Sequence, residues 1–228
     1  MAAEFFRTAH LAVPGCTEPS RPADVIDRLL ADVFESRAAA DLFNPYTDNR
    51  PGIDLPDAAR IRRDNLSAVL RVMCAEPIEE IWIAEAPGHN GGARSGVPLI
   101  PESCFDRFAD RTGTRLRRAT VGPPAVTLTG EAVWTHLDRR LRLPLLWNTV
   151  LHHPHQPLDP STNRTPTTRD IEAFASSRTL LREVAPDARV IAIGRVAERS
   201  WDGPASYVRH PAQGGRRLFD VQLRELSI

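Results

Sequence analysis

Residues 81–96 read IWIAEAPGHNGGARSG, four apolar residues running straight into a polar loop punctuated by glycine. A short, continuous apolar run of this kind is the pattern of a strand covered on both faces, as in a parallel sheet. The pattern recurs at 145–150 (LLWNTV) and 190–193 (VIAI), with a shorter strand expected at Ser206–Val208. Helical spacing of three and four fills the intervals. It runs over 22–43 and 56–75 in the N-terminal third, over 130–141 and 168–184 before the second and third strands, and over RRLFDVQLREL at 216–226. Thr167 or Thr168 can cap the helix at 168–184, with Asp170 in its first turn. The stretch 111–129 has no clear period, and 121–126, with its PP, reads as an irregular or edge element. The expected class is α/β, a three-layer α/β/α arrangement around a small, mainly parallel sheet.

A chain of 228 residues, 42 % hydrophobic and 25 % charged, suits one compact domain. Residues 1–77 are read as the N-terminal helical part of that domain and 78–228 as its α/β core. No apolar run approaches the roughly 18–20 residues that cross a bilayer, so no membrane association is expected. The start MAAEFFRTAH lacks the pattern of a signal peptide, and the cytoplasm is the expected compartment. Cys16, Cys74 and Cys104 are odd in number and contain no CxxC pair, which argues against a disulfide framework or a cysteine-ligated metal. Residues 1–110 hold 11 Arg against 18 acidic residues and residues 111–228 hold 18 Arg against 11, so an anionic partner is to be sought in the second half. Every basic residue is Arg, which excludes a lysine Schiff base and leaves bidentate phosphate contacts available.

In such a sheet the loops leaving the carboxyl ends of the strands meet at one crevice. The loop after the first strand carries Gly88, Gly91, Gly92 and Gly96, which allow close backbone approach to a ligand oxygen, but it matches neither GxxxxGK[ST] nor GxGxxG. Glu85, directly after the strand, is either a base that positions water or a structural cap. Asn148 lies inside a buried run, where its amide needs partners for donor and acceptor alike; it either reads the edge of a base or joins an internal network. His152, His153 and His155 do not form a defined metal constellation, and no metal is expected; they read as a rigid loop whose histidines touch each other, solvent or phosphate. His210 can donate to an oxygen, orient a leaving group or serve the fold alone, and Arg209 can meet phosphate or pair with an acid.

Four segments in order, AEAPGHNGGARSGVPLIPE (84–102), LLWNTVLHHPHQP with STNRTP (145–166), VIAIG (190–194) and YVRHPAQGG (207–215), together resemble the uracil-DNA glycosylase superfamily over roughly residues 78–220. AEAPG is similar to the GEAPG branch. The resemblance implies a monofunctional enzyme that hydrolyses the N-glycosidic bond of uracil or a related deaminated base in DNA, acts as a monomer, and uses no cofactor. Glu85 then positions or activates water, Asn148 reads the Watson-Crick edge and His210 donates to O2 of the departing base. Ala86, Pro87 and Gly88 supply backbone contacts, Arg209 meets DNA, and Gln213 and Gly214 belong to the loop that reaches toward the flipped nucleotide's gap. Leu99 stands where many members carry phenylalanine, and the loop AQGGRR carries no apolar wedge. Three scattered cysteines do not supply the four that hold the branch's iron-sulfur cluster. A non-catalytic nucleic-acid-binding protein and a hydrolase of free nucleosides or nucleotides are the competing classes.

Overall fold

A computed structural model describes residues 22–37 and 39–226. Helix α1 covers Pro22–Glu35, strand β1 Leu42–Phe43 and helix α2 Ala58–Met73. The helix expected over 22–43 therefore ends early. Beyond it the Asn44 side chain donates to the Ser36 carbonyl at 3.1 Å, and Leu42–Phe43 are drawn into pairing with a later strand. Side-chain bonds of this kind compete directly with the helical ladder. Strand β2 is Glu80–Ala84, followed by the short helix α3, Gly92–Ser95. A 3-10 turn at Glu102–Cys104 leads into α4, Phe105–Thr112, which the sequence pattern did not single out and which buries Phe105 and Phe108.

Helix α5 is Leu128–Leu137, two residues ahead of its expected start because Thr127 caps it, accepting from the Gly130 amide. It stops short of 141 where the Arg111 guanidinium takes the carbonyls of Leu137 and Arg140, each at 2.6 Å. Strand β3 is Leu145–Asn148 rather than 145–150; Thr149 and Val150 leave it but still donate to the Ala84 and Glu85 carbonyls at 2.8 and 3.1 Å. Strand β4, His153–Pro154, pairs antiparallel with β1. The single helix expected at 168–184 is two, α6 (Thr168–Glu172) and α7 (Ala175–Val184). Thr167 and Asp170 close a capping box on α6. The break falls where Arg178 takes the Ile171 carbonyl at 2.9 Å and Phe174 turns into the core. Strand β5 (Arg189–Ile193), helix α8 (Arg195–Ser200, not anticipated), strand β6 (Ser206–Val208) and helix α9 (Arg216–Leu226) complete the order.

The main sheet runs β3-β2-β5-β6 with every pairing parallel, Ile81 lying level with both Leu145 and Val190. Alternation along the strands divides the core in two. Ile81, Ile83, Leu145, Trp147 and Ala192 face α1, α2 and α7 through Val25, Leu29, Leu70 and Leu181. Trp82, Leu146, Ile191 and Val208 face α4, α5 and α9 through Phe108, Trp134, Leu137 and Phe219. The result is an α/β/α sandwich whose strand ends all open on one edge. Cys74 and Cys104 are free, and burial pushes each thiol up to about 11; Cys16 lies outside the described residues. No helix among the described residues is long and apolar enough to cross a membrane.

Candidate active site

At the carboxyl edge of the sheet lies a cavity of about 690 Å³. Glu85, Ala86, Pro87, Gly88, Leu99, Asn148, Arg209, His210 and Gln213 all line it. Gly214 does not; it occupies the same turn in a left-handed conformation, φ 74°.

The glycine-rich wall is held from beneath by two buried arginines. Arg50 donates to the His89 and Ala93 carbonyls, each at 3.2 Å, and Arg62 to the Arg94 carbonyl at 3.0 Å. Both guanidiniums converge on the buried Asp54 carboxylate. Gly96 lies so close to Arg62 that a Cβ there would collide with it, and its φ of 75° adds a second reason for glycine. At the next corner Leu99 also takes a left-handed backbone, φ 57°, an arrangement that costs a non-glycine residue about 1–2 kcal/mol. Its carbonyl accepts from Trp134 Nε1 at 3.1 Å, which helps to hold the turn.

Glu85 follows β2 directly. Its carboxyl is half-buried, burial raises its pKa, and it has no ion-pair partner among the described residues. Asn148 ends β3 beside Ala84 and is 1 % exposed. Its Oδ1 is buried without a hydrogen-bond partner, so the internal network allowed by the sequence does not reach this atom. An unpaired buried acceptor costs about 1–3 kcal/mol, which a donor on a bound molecule would recover.

His210 follows β6. The Ala212 amide donates to its Nδ1 at 3.2 Å, so the neutral ring carries its proton on Nε2. Burial, and then the Arg209 charge, lower its pKa and keep it neutral near pH 7. Gly194 packs against the ring, and a Cβ at Gly215 would strike the His210 carbonyl, so the turn from 210 to 215 closes only with glycine there. The Arg209 amide donates to Gln222 Oε1 at 2.7 Å, which ties this loop to α9. The Arg209 guanidinium has no acidic partner among the described residues.

The other histidine loop differs from expectation. His152, His153 and His155 are buried rather than turned to solvent or phosphate, although the His153 and His155 rings do meet, with centroids 5.9 Å apart. Ser36 gives its hydroxyl proton to the Val33 carbonyl at 2.6 Å, so His152 Nε2 must donate to Ser36 Oγ at 2.9 Å. His153 Nδ1 meets the Pro87 carbonyl at 2.8 Å, and His155 Nδ1 the Gln156 carbonyl at 2.8 Å. Burial pushes both His152 and His153 down to about 4.

Three contributors were not singled out from the sequence. Asn163 accepts from the His89 amide at 2.9 Å, Arg164 pairs with Asp41 and Asp170 at 2.7 Å each, and residues 126–130 form the far wall. STNRTP was recognised only as a segment, and the wall lies in the aperiodic stretch, so neither had a residue-level signal.

No protein-family model and no curated protein matches this chain. Among solved structures, the crystal structure of wild-type SMUG2 from Pedobacter heparinus superposes with a TM-score of 0.55 at 7 % identity, over 89 % of this chain and 94 % of that one. SMUG2 is of the uracil-DNA glycosylase family, and the chain has that family's fold.

Proposed function

We propose that this protein is a monofunctional DNA glycosylase acting on uracil or a related deaminated base. The observation that carries the reading is the convergence of Glu85, Asn148 and His210 on one cavity, in a fold shared with a DNA glycosylase. Each side chain has unspent capacity suited to a different part of the substrate. The free Asn148 Oδ1 accepts from the imide N3–H of uracil and its amide donates to O4. His210, neutral with its proton on Nε2, donates to O2. Glu85 favours positive charge on the deoxyribose and accepts a proton from water as that water's oxygen bonds to C1′. The C1′–N1 bond breaks, its electron pair leaves with the base, and negative charge on O2 is met by a donor already in place.

A neutral donor suits this task, because it strengthens its bond as charge develops and needs no prior protonation. Backbone amides around Ala86–Gly88 add to the same field, Arg209 meets the DNA phosphates, and Gln213 and Gly214 approach the vacated site. Hydrolysis leaves an abasic site without strand cleavage, since these 228 residues include no lysine to form a Schiff base. Residues 1–77 and 78–228 act as one domain in this reading.

Leu99 favours a second reading, a nucleic-acid-binding protein without catalysis, since leucine excludes water but has no aromatic face to stack on a base. A time course on uracil-containing single-stranded and duplex oligonucleotides, each followed by alkaline cleavage, decides between them. Base release is expected. Binding without release would establish the second reading, and turnover of the free nucleoside alone would overturn both.

A further inference from the structure

We propose that Val126 and Leu128 are the apolar wedge that enters the base stack when a nucleotide leaves the duplex, an inference that rests on the glycosylase reading above. Extruding a base breaks stacking on both sides, and proteins that open a base step commonly fill it with an apolar side chain. The loop after His210 offers only the buried Pro211 and the small Ala212, and its tip is Gln213. Across the cavity, Leu128 is 84 % exposed and Val126 is 67 % exposed, and both line the wall. Single exposed apolar residues need no explanation. Two of them flanking Thr127 at the mouth of a candidate base pocket do.

Their frame is anchored on both sides. Upstream, the buried Glu102 carboxylate accepts from the amides of Ala119 and Thr120 at 2.8 and 3.2 Å and from the Thr120 hydroxyl at 2.6 Å. Downstream, Thr127 Oγ1 accepts from the Gly130 amide at 3.0 Å, and Gly130 backs onto Pro101 so closely that a Cβ there would collide. Apolar side chains held out from an anchored turn lose little further freedom on insertion. Arg195 and Arg209 line the same cavity, which favours an anionic duplex over an apolar peptide as the occupant.

The test uses the full chain and a duplex carrying 2-aminopurine beside uracil, whose fluorescence rises on unstacking. Binding of the unaltered protein should raise it. The Val126→Ser/Leu128→Ser double variant should lose most of that rise, roughly five-fold or more. Its thermal midpoint should stay unchanged, and its affinity for single-stranded uracil DNA should fall far less than the fluorescence rise. An undiminished rise overturns the wedge, as does an equal loss of single-strand affinity, which would make these side chains mere pocket wall. Base release, followed in parallel, separates the two proposals. A variant-sensitive rise without release from any strand keeps the wedge and sinks the glycosylase; release with a variant-insensitive rise does the reverse. Failure to bind duplex DNA sinks both.

Discussion

Histidines stand on the loops that follow β2, β3 and β6 at the same edge of the sheet, and the last two of these loops use theirs in different ways. In the loop after β3, His152 and His153 are buried and bonded to Ser36 and the Pro87 carbonyl, so their rings hold the fold together. In the loop after β6, His210 spends one nitrogen on the Ala212 amide and lines the cavity with the rest of its ring. The lesson is that what a histidine can do depends on which of its nitrogens the protein has already used and on whether the ring faces the cavity. His153 also reaches the cavity, since the carbonyl it holds belongs to Pro87 in the cavity wall.

The largest expected effect lies with the buried pair. Each ring titrates near 4 when folded and near 6.5 when unfolded, so the unfolded chain binds more protons between those values. The stabilisation is complete above pH 6.5 and is lost as pH falls to 4, by up to about 3 kcal/mol per ring. Denaturant unfolding at a series of pH values should show it, and His153→Asn should flatten the slope. An unchanged slope in that variant would break the contrast between the loops.

Next comes His210→Ala, which should slow single-turnover base release by about 10²–10³-fold while leaving the fold intact. Glu85→Gln removes charge but retains shape, and should cost about 2–4 kcal/mol of barrier, roughly thirty-fold to several hundred-fold in rate, with little change in DNA affinity. The pH profile sharpens this assignment. Release should rise with pH through a value above the ordinary carboxylate range, where Glu85 ionises, and then stay level through neutrality because His210 donates while neutral. A fall in rate between pH 6 and 8 would mean that a protonated imidazole is needed instead. The smallest effect is expected for Arg209→Ala, which should weaken binding to all DNA sequences and reduce the salt slope by about 1, as binding isotherms at several salt concentrations would reveal.

Much of the fold was legible because buried parallel strands leave an unmistakable apolar run. Val190–Ile193 differs from β5 by one residue, and Ser206–Val208 matches β6. Helix ends were less legible, because distant groups set them. Arg111 ends α5 by taking its last carbonyls, and Arg178 takes the Ile171 carbonyl where one expected helix becomes α6 and α7. Arg111 lies 26 residues before the Leu137 carbonyl it takes, and Arg178, although inside the expected helix, gives no sign in local spacing that it turns back onto Ile171.

At the candidate site, position in the sequence marked Glu85, Asn148 and His210 as candidates, since each is a polar residue at or just beyond a strand end and parallel strands deliver such positions to a common edge, while the roles proposed for them came from the family resemblance. Tertiary structure decided what those residues have left to offer. Asn148 Oδ1 lacks a partner and His210 keeps its proton on Nε2, both at the cavity, whereas His153 is bonded to the Pro87 carbonyl and His152 is bonded to Ser36 away from the cavity, its Nδ1 unpartnered. It also decided that Arg50, Arg62 and Asp54 brace the glycine loop and that residues 126–130 close the far wall. The physical reason is that strand periodicity is a local property written into the chain, while the satisfaction of a donor or acceptor depends on partners brought close only when the layers pack.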